Sequence, residues 1–218
     1  MTVLQDWLGF LPQLASGLWV SIVVCLAAVV VGLPLGLVLA LGSSGRSRAV
    51  RWPAIAVVEI GRGAPALVVL QVFYFGLPSA GVTLSSTLAA CLALALTTAA
   101  YTSEIIRGGL QAVPRGELEA TEALGMSRPD ALRFVVIPQG IRVAIPPLMG
   151  FGVLIFQATS LAYTIALPEL LGRAYSIGSS TFQYLSVLAL AGLMYAAVTI
   201  PASLLTDRVE RRMSRHLA

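Results

Sequence analysis

Ionisable side chains lie inside otherwise apolar stretches of this 218-residue chain, where a charge is costly. Glu59 and Arg62 are spaced i, i+3, as are Glu104 and Arg107, so each pair can close along one helical face. A charge at the centre of a bilayer costs roughly 2.5–3.5 kcal/mol, and such groups should therefore pair or face a cavity. The sequence predicts two ion pairs. Structural pairing and snorkelling are one interpretation, and contact of Arg62 or Glu104 with a charged group of a solute is the other.

A second polar group in an apolar stretch consists of Gln157, Thr159 and Ser160. Serine and threonine hydroxyls in membrane helices commonly bond their own backbone or a neighbouring helix, which makes helix packing one interpretation of this patch. The alternative is that these side chains line a path for a polar solute. The sequence leaves both interpretations open.

The residue inventory excludes several kinds of chemistry. All fourteen basic residues are arginines, so the chain has no Walker A lysine and no Schiff-base lysine. The only histidine, His216, lies two residues from the C-terminus, which argues against His-dependent triads and imidazole metal sites. Cys25 and Cys91 stand in apolar runs without metal-ligand partners. We therefore expect no catalytic residue, no metal site and no cofactor on this chain.

The elements that hold these residues are predicted to be membrane helices. The chain is 57% hydrophobic and 11% charged, which is too little polar surface for a soluble globule. About 20 apolar residues in a helix are enough to cross the hydrocarbon core. The sequence thus predicts an all-α membrane protein of five transmembrane helices, forming one domain over residues 1–218. The predicted spans are 17–41, 53–77, 84–106, 145–167 and 184–205.

The placement of arginine predicts the orientation of these spans. Short loops rich in Lys and Arg stay in the cytoplasm, and the arginines that follow the first, third and fifth spans all fall on one side. This side holds Arg46, Arg48, Arg51, Arg107, Arg115, Arg128, Arg133, Arg142, Arg208, Arg211, Arg212 and Arg215. The N-terminus is therefore expected outside and the C-terminus in the cytoplasm. The net charge of +4 follows from this rule and indicates no nucleic-acid partner.

One long charged interval, Pro114–Pro138, interrupts the apolar segments and is expected in water between the third and fourth spans. Pro114 can begin a first short helix and Gly125 can end it in a left-handed conformation. Ser127 can cap a second helix, with Asp130 at a capping-box spacing, and this helix should stop or kink at Pro138. The first helix should bury its apolar residues and expose its acidic ones. The apolar set is Leu118, Ala120, Ala123 and Leu124, and the acidic set is Glu117, Glu119 and Glu122.

This interval resembles the EAA cytoplasmic loop of ABC importer permeases. Glu119-Ala120, then Gly125, then Val135-Val136-Ile137-Pro138 match that pattern in order and spacing, although Thr121 replaces the second alanine. Further segments are similar to motifs of the histidine/glutamine branch, the polar amino-acid permeases. These segments are Arg62–Pro65, Ala100–Gly109, Ile137–Gln139 and Thr159–Leu161.

The resemblance implies a type I ABC importer permease of the bacterial cytoplasmic membrane. Such a chain forms a translocation path with a second permease chain, in a homodimer or a heterodimer. Separate ATPase subunits bind ATP and Mg²⁺, and an extracytoplasmic solute-binding protein delivers the solute. On this basis the residues expected to couple the chain to the ATPase are Glu117, Glu119, Ala120, Gly125 and Pro138.

One departure from the family limits what the resemblance implies about the solute. Many relatives read K-D-T-S-L where this chain has Gln157-Ala158-Thr159-Ser160-Leu161, so both charges are missing. A preference for a cationic or an anionic solute is therefore not carried over to this chain.

Three other functions compete with the importer. A sister ABC permease for another small solute, such as a quaternary amine, is the nearest alternative. An intramembrane protease would need a histidine at membrane depth, and the sequence has none there. A channel that works without ATP would not explain why proline, glycine and capping residues mark the helix ends within Pro114–Pro138.

Overall fold

Backbone polar groups inside a bilayer must find their partners within the same segment, which makes helices the expected form of the apolar runs. The computed structural model describes residues 3–45 and 47–214, and Arg46, Arg215 and His216, discussed above, lie outside these ranges. The described chain is almost entirely helical. Its α-helices are α1 (Val3–Ser44), α2 (Arg48–Gly63), α3 (Ala66–Gln71), α4 (Ser86–Gln111), α5 (Arg115–Ala123), α6 (Arg128–Ala131), α7 (Ile137–Ala158), α8 (Leu170–Thr181) and α9 (Tyr184–Ser214).

The predicted all-α membrane fold is confirmed. Over the described ranges, four helical segments are long and apolar enough to cross a membrane, and a fifth is obtained when a bent pair of helices is counted as one span. The bent pair is α2 with the segment Ala66–Ala80, and the angle between its two parts is 104°.

The bend in the second span lies at Ala64-Pro65. Proline lacks a backbone N–H and disfavours a helical conformation in the residue before it. Ala64 accordingly has φ −82° and ψ 132°, which is extended backbone. Pro53, the expected start of this span, instead lies within α2, which already begins at Arg48.

The described chain has two π-helical turns, Val72–Gly76 and Leu132–Val136, and each ends two residues before a proline, at Pro78 and Pro138. The N–H groups of Leu77 and Ile137 donate to the carbonyls of Val72 and Leu132. Such widened turns accommodate a proline ring without ending the helix.

The expected stop or kink at Pro138 is therefore replaced by a widened turn. The helical path continues as one 38-residue run, Arg128–Ile165, whose last turns are the 3₁₀ segment Thr159–Ile165. Pro146 and Pro147, which lie at the start of the predicted span 145–167, are inside α7.

Close packing of α1 against α4 forms the centre of the bundle. Gly32 and Gly36 of α1 face Thr98 and Thr102 of α4, so the two helices run parallel. A Cβ on Gly32 would lie 2.5 Å from Cβ of Thr98, which shows how little space separates the helices. Small residues on α4 permit this approach. The buried hydroxyls of Thr98 and Thr102 each donate 2.7 Å bonds to carbonyls one turn earlier in α4, at Leu94 and Thr98.

A second core lies at the opposite end of the bundle from α5 and α6. It joins the start of α1 to α8 and to the start of α9. Leu14, Leu170, Ala174 and Val187 are fully buried there. We call this end of the bundle the α8 end and the other the α5 end.

Candidate functional site

The predicted ion pairs form part of one charged cluster at the contact of α2 with α4. Arg107 Nε donates to Glu104 Oε1 at 2.9 Å, as the spacing along α4 predicted. Arg62 lies 3.3 Å from Glu104 across the two helices, but 4.0 Å from Glu59, its predicted partner on α2. The Glu104 carboxylate therefore forms an ion pair with both arginines.

Packing holds Arg62 in place against α4. Gly61 lies so close to Ala100 that a Cβ on the glycine would be 2.6 Å from that of the alanine. The hydroxyl of Tyr101 donates to the Arg62 carbonyl at 3.2 Å, and the Tyr101 ring stacks on Phe151 of α7 with 5.2 Å between centroids. The cluster is thus attached to three helices.

The charged cluster is open on one side. The side chains of Arg62, Glu104 and Arg107 expose 37%, 24% and 36% of their surface. The cluster presents two guanidinium groups around one carboxylate, so a ligand with a carboxylate and an ammonium group finds a partner for each. Such an arrangement can orient a zwitterion without any covalent chemistry.

The polar patch on the later part of the same helical run is a separate feature. The Thr159 side chain is fully buried and donates to the Phe156 carbonyl at 2.7 Å. The Ser160 hydroxyl donates to the Gln157 carbonyl at 2.8 Å, and the Gln157 side chain is exposed. Both hydroxyls thus follow the packing interpretation, and Gln157 alone of the three offers an exposed polar group. Among the described residues, no hydrogen bond or ion pair joins this patch to the charged cluster.

The segment between α4 and α7 forms two short helices joined at Gly125, as predicted. Gly125 has φ +68° and follows Leu124, the C-cap of α5. The N–H groups of Gly125 and Met126 donate to the carbonyls of Glu122 and Thr121, both at 3.0 Å. This is the Schellman arrangement, which satisfies the last carbonyls of a helix through a left-handed residue. At the start of α6, the Ser127 hydroxyl accepts the Asp130 N–H at 3.4 Å.

The prediction that α5 buries its apolar residues is wrong for this chain. Leu118 and Leu124 expose 39% and 79% of their surface, and Ala120 and Ala123 are also exposed. Thr121, which departs from the family pattern, is the buried residue of the helix, at 5%. The rest of the described chain therefore leaves the apolar side of α5 uncovered. The apolar and the acidic residues of α5 are therefore both accessible.

Contacts link α5 to the helical run that follows it. Gln139 Nε2 donates to the Glu117 carboxylate at 3.4 Å, and Pro138 lies next to it in the first turn of α7. Glu119 is exposed. Pro138 is also exposed, and the bond between Gln139 and Glu117 joins the two helices at the α5 end.

A buried carboxylate at Glu169 was not identified from the sequence. Its side chain is fully buried and caps α8, accepting the N–H groups of Leu171 and Gly172 at 2.9 and 2.7 Å. Tyr195 of α9 and Ser21 of α1 also donate to it, at 2.8 and 3.3 Å. A single acidic residue after Pro168 and before an apolar helix is the signal that could have indicated such a cap.

Metal binding has no support in the described part of the chain. No group of three His, Cys, Asp or Glu side chains is placed there to hold an ion. Cys25 and Cys91 are free thiols among the described residues.

Comparison with known proteins gives a consistent result. Residues 32–215 match the family described as binding-protein-dependent transport system inner membrane component. The probable amino-acid ABC transporter permease YckA of Bacillus subtilis is 32% identical over 206 residues, which cover 94% of this chain and 91% of that protein. The glutamate/aspartate import permease GltK of Escherichia coli O157:H7 is 33% identical over 218 residues, covering 95% of this chain and 97% of that one.

Solved structures agree with these relatives. A crystal structure described as an amino acid ABC transporter with histidines has a TM-score of 0.93 and 32% identity, and the match covers 97% of this chain and 99% of the other. An inward-facing MetNI methionine ABC transporter has a TM-score of 0.70 at 20% identity, a likeness that concerns the fold alone.

Proposed function

This chain belongs to the family of binding-protein-dependent transport system inner membrane components and is a permease subunit of an amino-acid ABC importer, and we propose a role in transport for each of its main parts. The charged cluster lies beside the translocation path. The segment from α5 to α6 receives force from separate ATPase subunits. A second permease chain, identical or related, completes the path.

The observation that carries this proposal is the unbroken helical run Arg128–Ile165. At 1.5 Å per residue it is about 57 Å long, which exceeds the thickness of the hydrocarbon core. It begins beside the proposed ATPase contact and ends beyond Gln157, Thr159 and Ser160. A displacement of α6 is therefore transmitted to the polar patch without an intervening flexible loop.

The exposed surface of α5 supports docking of a partner. Leu118 and Leu124 provide apolar contact, and Glu117, Glu119 and Glu122 provide negative charge for basic groups of the partner. Ala120, Gly125 and Pro138 set the shape of this surface. ATP and Mg²⁺ bind to the partner subunit, since this chain has no lysine for a Walker A motif.

An amino acid is the solute class that the chemistry of the charged cluster favours. The relatives act on different amino acids, according to their names, and what those solutes share is the α-ammonium and the α-carboxylate. Arg62 and Arg107 can receive a carboxylate, and Glu104 can receive an ammonium group. The uncharged Gln157 makes the cluster the main source of charge recognition.

The proposed orientation places the α5 end in the cytoplasm, because the arginine-rich segments are at that end. The α8 end then faces outward, where an extracytoplasmic binding protein delivers the solute. The bacterial inner membrane is the proposed location.

Reconstitution tests this proposal. The chain is purified with the ATPase that co-elutes, placed in vesicles with its solute-binding protein, and screened with labelled amino acids in the presence of ATP or ADP. We expect uptake of at least one amino acid with ATP alone. Uptake of a quaternary amine and of no amino acid would instead indicate the sister-permease function, and failure to retain any ATPase would contradict the proposed coupling.

A further inference from the structure

Three tyrosines line a cavity of about 600 Å³ at the α8 end of the bundle. Tyr163 lies in the 3₁₀ turns after α7, Tyr175 on α8 and Tyr184 at the start of α9. Thr164, Ser176 and Ser179 also line the cavity, and the hydroxyls of Thr164 and Ser179 donate to the carbonyls of Leu161 and Ser176. Among its described lining residues there is no arginine, aspartate or glutamate. The cavity is therefore aromatic and polar but carries no formal charge.

The rings are held in a fixed arrangement. Tyr163 and Tyr175 stack with 4.5 Å between centroids and 17° between planes, and Tyr184 meets Tyr175 edge-on at 6.0 Å. Gly178 makes room for Tyr184, since a Cβ there would lie 2.7 Å from the ring. The buried Glu169 anchors the helix that carries Tyr175. The arrangement thus exists before any ligand enters.

We propose that this tyrosine cavity binds an organic ammonium group. The face of an aromatic ring carries negative electrostatic potential, and cations bind over it within about 6 Å of the ring centroid. Among the described residues, no hydrogen bond involves the phenol hydroxyls of Tyr163, Tyr175 and Tyr184 or the hydroxyl of Ser176. Their oxygens can therefore accept N–H groups of a ligand.

The absence of a carboxylate from the described lining determines the strength of the site. Without an ion pair, attraction of the cation to the rings and hydroxyls gives weak binding, so a ligand can leave quickly. The charged cluster at Arg62 and Glu104 is a different site with formal charges of both signs. Rapid release suits a position that a solute passes through, and this role of the cavity depends on the proposed import function.

Two sources can supply the ammonium group at this end of the bundle. One is the amino-acid solute itself, and the other is the headgroup of phosphatidylethanolamine. Both present a protonated primary amine at neutral pH, so the chemistry of recognition is the same.

Binding of three small probes to the purified full-length chain tests the proposal. Ethanolammonium, ethylene glycol and glycolate have similar size and differ in charge, and saturation-transfer NMR reports which of them contacts the protein. Because the charged cluster can also bind charged probes, cavity binding is the part of the signal that Tyr175→Leu removes, and we expect this part for ethanolammonium only. A Tyr175-dependent signal that is equal for all three probes, or largest for glycolate, would overturn the proposal.

Substitutions assign the binding to the rings. Tyr175→Leu should weaken ethanolammonium binding by about tenfold, whereas Tyr175→Phe should stay within about threefold of the unaltered chain because the ring is kept. Tyr74→Leu is the matched control, because Tyr74 meets the Phe75 ring edge-on and lies outside the cavity. Should Tyr175→Leu fail to fold, the pair Tyr163→Leu and Tyr163→Phe replaces it. Unchanged binding in the leucine variant that folds would show that the rings do not hold the cation.

The same measurement in nanodiscs distinguishes the two sources. If the lipid headgroup occupies the cavity, phosphatidylethanolamine should abolish binding of the soluble probe that is seen in phosphatidylglycerol alone. If the solute occupies it, binding should persist in both lipids. No ATPase is needed for this measurement. Absence of probe binding in phosphatidylglycerol together with normal ATP-driven uptake would contradict this inference and leave the import function intact. Normal probe binding without ATP-driven uptake would contradict the import function alone.

Discussion

The guanidinium of Arg62 lies 3.3 Å from the carboxylate of Glu104, and this ion pair ties the bent second span to α4. Glu104 also accepts a 2.9 Å bond from Arg107. Two arginines thus share one carboxylate in a part of the chain where an unpaired charge is costly. The charged cluster therefore depends on Glu104.

The first prediction concerns this carboxylate. Glu104→Gln should lower ATP-driven amino-acid uptake in reconstituted vesicles by about tenfold or more, because both arginines lose their ionic partner. Glu59→Gln is the matched control. Glu59 is 69% exposed and its oxygen is 4.0 Å from Arg62, so its loss should change uptake by less than about twofold. Equal effects of the two substitutions would contradict the assigned role of Glu104.

The second prediction concerns the left-handed residue between α5 and α6. Gly125→Val places a β-branched residue at φ +68°, which should cost at least about 1–2 kcal/mol and distort the segment. We expect membrane insertion to persist while ATP hydrolysis no longer drives uptake. Gly125→Asn should retain coupling better, since asparagine tolerates this conformation.

Gly116→Ala serves as the control for that experiment. Gly116 lies within α5, and a Cβ there would meet nothing within 4 Å. Its uptake should equal that of the unaltered chain. Full coupling in Gly125→Val would show that the shape of this turn does not matter for the ATPase contact.

The third prediction concerns the contact of α1 with α4. An alanine at Gly36 would direct its Cβ into the Thr102 hydroxyl, and such overpacking costs about 1–3 kcal/mol. Thermal unfolding in detergent should show a lower Tm for Gly36→Ala. Gly9→Ala, on the same helix but with nothing within 4 Å, should leave Tm nearly unchanged.

A rescue variant tests the cause of that loss. Thr102→Ala removes the hydroxyl that the new methyl group meets, so the double variant Gly36→Ala/Thr102→Ala should recover part of the lost Tm. Simple addition of the two single effects would indicate that the clash is not the reason.

The fourth prediction concerns Glu169. Replacement by alanine leaves the hydroxyls of Tyr195 and Ser21 and two backbone N–H groups of α8 without their acceptor, at about 1–3 kcal/mol for each group that stays unsatisfied. Glu169→Ala should therefore lower Tm strongly, and Glu169→Gln should lower it less because its amide oxygen still accepts. Tyr195→Phe, which removes one donor and leaves the carboxylate in place, should have the smallest effect. Equal loss in all three variants would contradict the network.

The sequence predicted those features that depend on local pattern. Apolar length indicated membrane helices because the cost of unpaired backbone in lipid leaves few alternatives. Gly125 and Ser127 were identified as caps because their side chains, or the lack of one, act on neighbouring residues. The Glu104–Arg107 pair followed from spacing along a single helix in the same way.

Features that depend on three-dimensional packing were not predicted. Arg62 pairs with Glu104 across two helices, and no spacing in sequence gives the distance between helices. The exposure of Leu124 depends on what surrounds α5, which a hydrophobic pattern does not contain. Pro65 breaks a span whereas Pro146 and Pro147 lie inside one, because neighbouring helices and local turns decide whether the lost hydrogen bond is tolerated.

The helix α8 was missed for a related reason. Its twelve residues are too few to cross a membrane, and they lie between the fourth and fifth predicted spans, where no element was predicted. The four donors around Glu169 come from three separate helices, so only the folded chain brings them together.

The small residues where α1 meets α4 have a mechanical consequence. At Gly32 and Gly36 the two spans touch through van der Waals contact, while the hydroxyls of Thr98 and Thr102 bond within their own helix. Sliding one span along the other at this seam would break no hydrogen bond between the spans, but it would bring Cβ atoms to positions where only a glycine fits. The close contact therefore fixes the register of the two spans and favours their moving as one unit.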